Sequence, residues 1–197
     1  MNQLKINQIS IVTFPNVGEL NEKKFRKIVE HLSEFIIGSN GNTISFNFRV
    51  GENAYINVTK DSIQYQIIGE GIEKENIEKE NIELMLTKVY DSLMVEELNF
   101  SVIDVQALAP SNNSLEESLK TLNLQFEVPK GTLKGIGYRF LIEGDNYNDD
   151  LKKEPFLSDP RFTYYQLTRN FNKNKINLKT VINDLYDTYN TIGEYFK

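Results

Sequence analysis

The chain has 197 residues, 40% hydrophobic and 25% charged, the balance of an ordinary globular chain with room for a substantial core. Its net charge of -6 removes broad attraction to nucleic acid or anionic lipid, and the absence of cysteine removes disulfides, thiolate nucleophiles and cysteine–metal sites together. No apolar run reaches the length of a signal peptide or a membrane span, so the expectation is a cytoplasmic protein with no membrane partner.

Residues 6–14 read as a first strand, stopped by Pro15, Asn16 and Gly18. Residues 19–37 carry Phe25, Ile28, Val29, Leu32, Phe35 and Ile36 at helical spacing, which predicts one long helix ended by Gly38 and the Asn40-Gly41 pair. Residues 43–69 then predict an antiparallel meander whose register follows from its turns. With Val50 opposite Ala54 across the Gly51-Glu52-Asn53 turn, Phe48 faces Ile56 and Phe46 faces Val58. With Thr59 opposite Ser62 across Lys60-Asp61, Val58 lies beside Ile63 and Ile56 beside Tyr65. Both registers sort the residues alike, and a one-residue slip in either would not. Ile44, Phe46, Phe48, Val50, Ala54, Ile56, Val58, Ile63, Tyr65 and Ile67 share the face to be covered. Asn47, Arg49, Tyr55, Asn57, Gln64 and Gln66 share the other, a polar face without Lys or Glu.

A charged stretch follows, with a short Lys-Glu-Asn-Ile-Glu repeat at Lys74 and Lys79, leading into a helix to about Met94. The second half begins with a strand at 98–108, apolar on both faces, and a short helix at 114–122 that Ser114 could cap with Glu117 in a capping box. Strands are expected at 124–128, 134–143 and 161–171, and a closing helix at 177–196. Residues 145–160, with Pro155 and Pro160, read as a long irregular insertion whose Phe156-Leu157 pair could anchor a partner.

Each half therefore reads β-α-β-β-β-α. The expected class is α+β: a curved antiparallel sheet with helices on one face, built from pseudo-halves 1–96 and 97–197. The element order resembles, in outline only, the saddle of the TATA-box-binding-protein type. The nucleic-acid use that this resemblance implies is at odds with the acidic balance.

Catalytic motifs are mostly lacking. His31 is the only histidine, with no second histidine or cysteine to complete a triad or metal set. Asp145, Asn146, Tyr147, Asn148, Asp149 and Asp150 open like a calcium loop, but Asp150 occupies the glycine position and Phe156 that of the bidentate glutamate. Gly131, Gly135 and Gly137 lack the Gly-Lys-Ser/Thr ending of a phosphate loop. Asp104, Glu127 and Glu143 are carboxylates with no spacing that points to chemistry. The reading is a protein that is not an enzyme and has no metal or cofactor. It is expected to bind another protein, or a second copy of itself, through Asn47, Arg49, Tyr55, Asn57, Gln64, Gln66, Arg139, Phe156 and Leu157. Inhibitor, immunity or antitoxin-like, accessory and mobile-element roles all suit such a chain. The alternative is a small-ligand or peptide module that holds its ligand between Arg49, Tyr55, Arg139 and Tyr165.

Overall fold

The computed structural model describes residues 4–15, 17–32, 34–40, 43–121, 132–171 and 177–195. Their strands are β1 (Lys5–Thr13), β2 (Glu34–Asn40), β3 (Thr43–Arg49), β4 (Ala54–Val58), β5 (Ile63–Ile68), β6 (Ser101–Pro110), β7 (Tyr138–Glu143), β8 (Tyr147–Pro155) and β9 (Phe162–Phe171). The helices are α1 (Glu22–Val29), α2 (Lys79–Leu93), α3 (Ser114–Thr121) and α4 (Leu178–Tyr195). All nine strands join one antiparallel sheet in the order β2-β3-β4-β5-β1-β6-β9-β8-β7. The order is mirrored about the β1–β6 seam: in each direction the last strand of a half comes next, then the strand before it. The α+β class is as expected.

Alternation sorts the sheet into two sides, and the pairings carry each row of side chains across it. One row runs Phe35, Phe48, Ile56, Tyr65, Ile11, Ile103, Arg169, Asp149, Ile142. All four helices cover this side. Phe25 of α1 packs its ring against Phe35, Phe46 and Phe48, and the Tyr90 hydroxyl of α2 meets Thr13 Oγ1 at 2.5 Å. Ser118 of α3 accepts from the Ile136 amide at 3.0 Å beside the buried Pro155, and α4 reaches Arg169 through Asp184 and Asp187. The two halves share one core. Tyr186 and Tyr189 of α4 donate to the carbonyls of Ile77 and Ile72 beside α2.

The first predicted helix is corrected. Asn21 caps α1, accepting from the Lys24 amide at 3.0 Å, but the helix stops at Val29 and residues 34–40 form β2. The helical spacing of Phe35 and Ile36 was misleading because a strand pairing also returns Phe35 to Phe25, at 4.7 Å between ring centroids. The aromatic and β-branched run Phe35-Ile36-Ile37 prefers the pleated backbone once β3 offers a partner. His31 accordingly sits exposed just past the helix. The meander registers hold, with Phe48 opposite Ile56, Phe46 opposite Val58, Val58 opposite Ile63 and Ile56 opposite Tyr65. Ile44 shares their side but is exposed near the sheet edge.

The expected insertion at 145–160 is corrected too. Residues 147–155 are β8, joined to β7 by the tight Asp145-Asn146 turn, where the Gly144 amide donates to the Tyr147 carbonyl at 2.9 Å. Ser114 is not the cap of α3: Asn113 Oδ1 accepts from the Glu116 amide, while Glu117 turns back to Ser111 and the Asn112 amide. The strand expected at 124–128, with Glu127 and Gly131, lies outside the described residues.

Two tyrosines of the covered side make alkaline stability a test of this packing. Burial, and then Glu78, push the Tyr65 hydroxyl up to about 12, and burial raises Tyr90 despite its bond to Thr13. The unfolded phenol ionises near its ordinary value of 10.0, so above that pH unfolding releases protons. Stability is therefore full below pH 10 and falls as pH rises towards 12, by about 2–3 kcal/mol from Tyr65 alone. In urea melts across this range, Tyr65→Phe should make the fall shallower. An unchanged slope would exclude Tyr65 as its source.

Candidate functional site

Among the described residues, no helix covers the second side of the sheet. Its central row is Glu34, Arg49, Tyr55, Gln66, Ser10, Asp104, Thr168, Asp150, Leu141. The row to one side is Ile36, Asn47, Asn57, Gln64, Val12, Val102, Asn170, Asn148, Glu143. On the other lie Ile68, Gln8, Gln106, Gln166, Lys152 and Arg139. Thus Asn47, Arg49, Tyr55, Asn57, Gln64, Gln66 and Arg139 do lie on one face by register, and Gln8 and Ser10 of β1 complete it. The signal for β1 was the polar phase of Gln8 and Ser10 between Ile6, Ile9 and Ile11, offset by a bulge between Ile6 and Gln8.

The two halves of this face differ in how far its polar groups are already bonded. On the β6–β9–β8–β7 half the side chains form a closed network. Asp104 accepts from Gln106 Nε2 at 2.8 Å, Gln166 Nε2 at 2.6 Å and Thr168 Oγ1 at 2.8 Å. Lys152 donates to Gln166, and Arg139 grips Asp150 with two bonds of 2.8 and 2.6 Å. Burial, then Asp104 and Glu154, push the Tyr164 hydroxyl up to about 12. On the other half Asn57 bonds Asn47, while Gln8, Gln64, Gln66 and the Tyr55 hydroxyl have no side-chain partner among the described residues. A connected patch on β4, β5 and β1 thus presents amide donors and acceptors beside an exposed tyrosine, with no charge among them.

Arg49 leaves that patch. Its Nε and Nη2 donate to the carbonyls of Gly51 and Glu52 at 3.1 and 3.0 Å, with Glu34 at 3.9 Å. It borders a cleft of about 470 Å³ with His31, Leu32 and Met85, around the end of the sheet. Arg139 lies seven strand spacings from Arg49, about 34 Å along the sheet. Tyr165 faces the helices, buried, with Lys153 over its ring. One small ligand cannot touch Arg49, Tyr55, Arg139 and Tyr165 together, which corrects that grouping. Phe156 and Leu157 sit in the β8–β9 turn, which is held by Phe156 N–H to Phe162 O at 3.1 Å and by Arg161 on Asp159. Leu157 is 83% exposed there, apart from the amide patch.

Sequence reasoning missed a cluster of four charged side chains on the covered side. Arg169 stands in the covered phase of β9 between Leu167 and Phe171, where a charged residue breaks the apolar alternation, and that break was the available signal. Its Nε and Nη2 bond Asp149 at 2.8 and 2.9 Å, and Nη1 bonds Asp184 at 2.8 Å and Asp187 at 2.7 Å. The guanidinium also lies 3.8 Å from the Tyr147 ring centroid. Burial alone would lower its pKa; bonds from three carboxylates outweigh that and raise it. The cluster fastens α4 to the sheet. Among the described residues no three His, Asp or Glu side chains are placed to hold a metal ion, and no helix is long and apolar enough to cross a membrane. No family model matches the chain, and no curated protein matches it either.

Proposed function

We propose that this chain is a protein-binding factor that engages its partner through the uncovered side of the sheet, centred on Tyr55, Gln64, Gln66 and Gln8. The observation that carries this reading is the amide patch on β4, β5 and β1, where Gln8, Gln64, Gln66 and the Tyr55 hydroxyl have no side-chain partner among the described residues, beside a half of the same face whose side chains bond one another. Amides offer donors and acceptors without the desolvation cost of charges, and tyrosine supplies rigid contact area at little entropic cost. Arg49, held by its own neighbours on β3, borders the patch on one side, while Arg139 lies four strands beyond β1 in the bonded half of the same face. Inhibitory, immunity-like and accessory roles all use such a surface without catalysis.

The test is capture by the tagged chain from the lysate of a low-GC bacterium, a source suited to a sequence rich in Asn, Lys and Ile. Tyr55→Ala with Gln66→Lys removes the aromatic anchor and places a charge in the patch, and it should weaken capture by about 30-fold or more. Leu157→Ala, far from the patch, should leave capture unchanged. Equal capture by wild type and the double variant would remove the amide patch from the interface.

A further inference from the structure

We infer that the chain forms a two-fold dimer by pairing the free edges of β2 from two copies, extending the sheet through a seam centred on Ile36. This surface is the sheet edge, distinct from the amide patch, and it rests on different observations.

The first is the direction of the main chain. Val50 N–H donates to Ala54 O at 2.9 Å, so Val50 and Ala54 form a hydrogen-bonded pair, and so do Phe48–Ile56 and Phe46–Val58 in the same register. The alternate residues of β3 (Ser45, Asn47 and Arg49) therefore point their amides and carbonyls at β2. Their partners there are Gly38, Ile36 and Glu34. It follows that Phe35 and Ile37 direct N–H and C=O outward, where no described strand meets them.

The second observation is what that edge exposes. Phe35 is 45% exposed, Ile36 73% and Ile37 55%, with Phe35 and Ile37 on the helix-covered side and Ile36 on the open side. An edge strand left free in solution ordinarily carries a lysine, a proline or a bulge to prevent pairing. In β2 the only charge is Glu34, there is no proline, and the register with β3 is unbroken.

The third is that β2 complements itself in one register. An antiparallel two-fold pairing must bring outward-pointing residues opposite each other. An axis through Ile36 does so by placing Phe35 opposite Ile37 of the second copy, and Ile37 opposite its Phe35. Each such pair exchanges both main-chain hydrogen bonds, and Ile36 meets its own counterpart. Glu34 then faces Gly38, where there is no side chain to crowd it and no like charge. An axis through Ile37 would set Phe35 opposite Ser39 and Ile36 opposite Gly38. An axis through Phe35 would set Ile36 opposite Glu34. Only the Ile36 axis gives every exposed apolar residue of β2 an apolar partner. A second copy of this chain is thus the occupant whose chemistry the edge matches.

The experiment uses the full chain. Sedimentation equilibrium over a wide concentration range should give a dimer for wild type. Ile36→Lys, which sets two ammonium groups across the axis, should weaken the dimer by about tenfold or more. The native chain has no cysteine, so Ile36→Cys introduces a single thiol. At a non-hydrogen-bonded pair the two Cα atoms lie about 4.5 Å apart, within disulfide reach, so air oxidation should cross-link Ile36→Cys and spare Ile37→Cys. Should Ile36→Lys fail to fold, the cysteine pair decides alone. A monomer at every concentration, a mass growing beyond the dimer, a dimer indifferent to Ile36→Lys, or cross-linking that favours Ile37→Cys would each overturn the proposal.

Discussion

Arg169→Met should lower the free energy of unfolding by about 3–5 kcal/mol, the range for breaking a buried ion pair from one side. Arg169 is 1% exposed and Asp149 0%, so the variant leaves Asp149 charged in the core without a donor. Asp184 and Asp187, which stand nearer water on α4, can turn to solvent. The loss therefore originates mainly at Asp149 and includes the ring of Tyr147, whose face the guanidinium covers. Non-additivity is the signature of that origin. Arg169→Met with Asp149→Leu removes both charges from adjacent positions of one apolar row, and should recover most of the loss, to within about 1–2 kcal/mol of wild type. Urea melts of the two single variants and the double variant close the cycle. A double variant no more stable than Arg169→Met would show that α4 depends on the ion pair itself and not on keeping an unpaired charge out of the core.

How far these features could be read from the sequence follows from the range of the forces that fix them. The meander was legible because Gly51-Glu52-Asn53 and Lys60-Asp61 set the register locally and two turns had to agree on one apolar face. The polar face followed from the same arithmetic, so Asn47, Tyr55, Asn57, Gln64 and Gln66 fall together as expected. Which of them are free did not follow, because that depends on neighbours across non-sequential strands, such as Gln66 beside Ser10. The start of β2 was lost because Phe25, Leu32 and Phe35 satisfy a helical period by coincidence, while the deciding partner, β3, lies beyond a turn. Strand β8 was hidden for a related reason. Its sequence, YNDDLKKEP, has little strand preference of its own. It is held by Asp149 on Arg169, Leu151 beside Leu167, Asp150 on Arg139 and Lys152 on Gln166. Three of these contacts reach β9 and one reaches β7, so the strand exists only once both neighbours are in place.

The aromatic cluster under α1 allows the core and the edge to be tested by one comparison. Phe48 is fully buried among Phe25, Phe35 and Ile56, and its truncation leaves a cavity that the paired strands on either side cannot close. Phe48→Ala should therefore cost about 3–5 kcal/mol, a fall of roughly 10 °C in Tm for a chain of this size. Phe35 belongs to the same cluster, at 4.7 Å from Phe25 and 6.4 Å from Phe48, yet nearly half of it faces solvent. In a dilute sample Phe35→Ala should cost less than about 1.5 kcal/mol, because much of the ring is wet in the single chain. A dimer through β2 changes this in a measurable way: association stabilises the wild type by mass action, and the Phe35 ring contributes to that association. The Tm of wild type should then rise with protein concentration while that of Phe35→Ala rises less, so the gap between them widens. The gap for Phe48→Ala should stay constant, since that ring is covered with or without a second copy. Parallel lines for all three proteins would place Phe35 in solvent at every concentration and return β2 to a free edge.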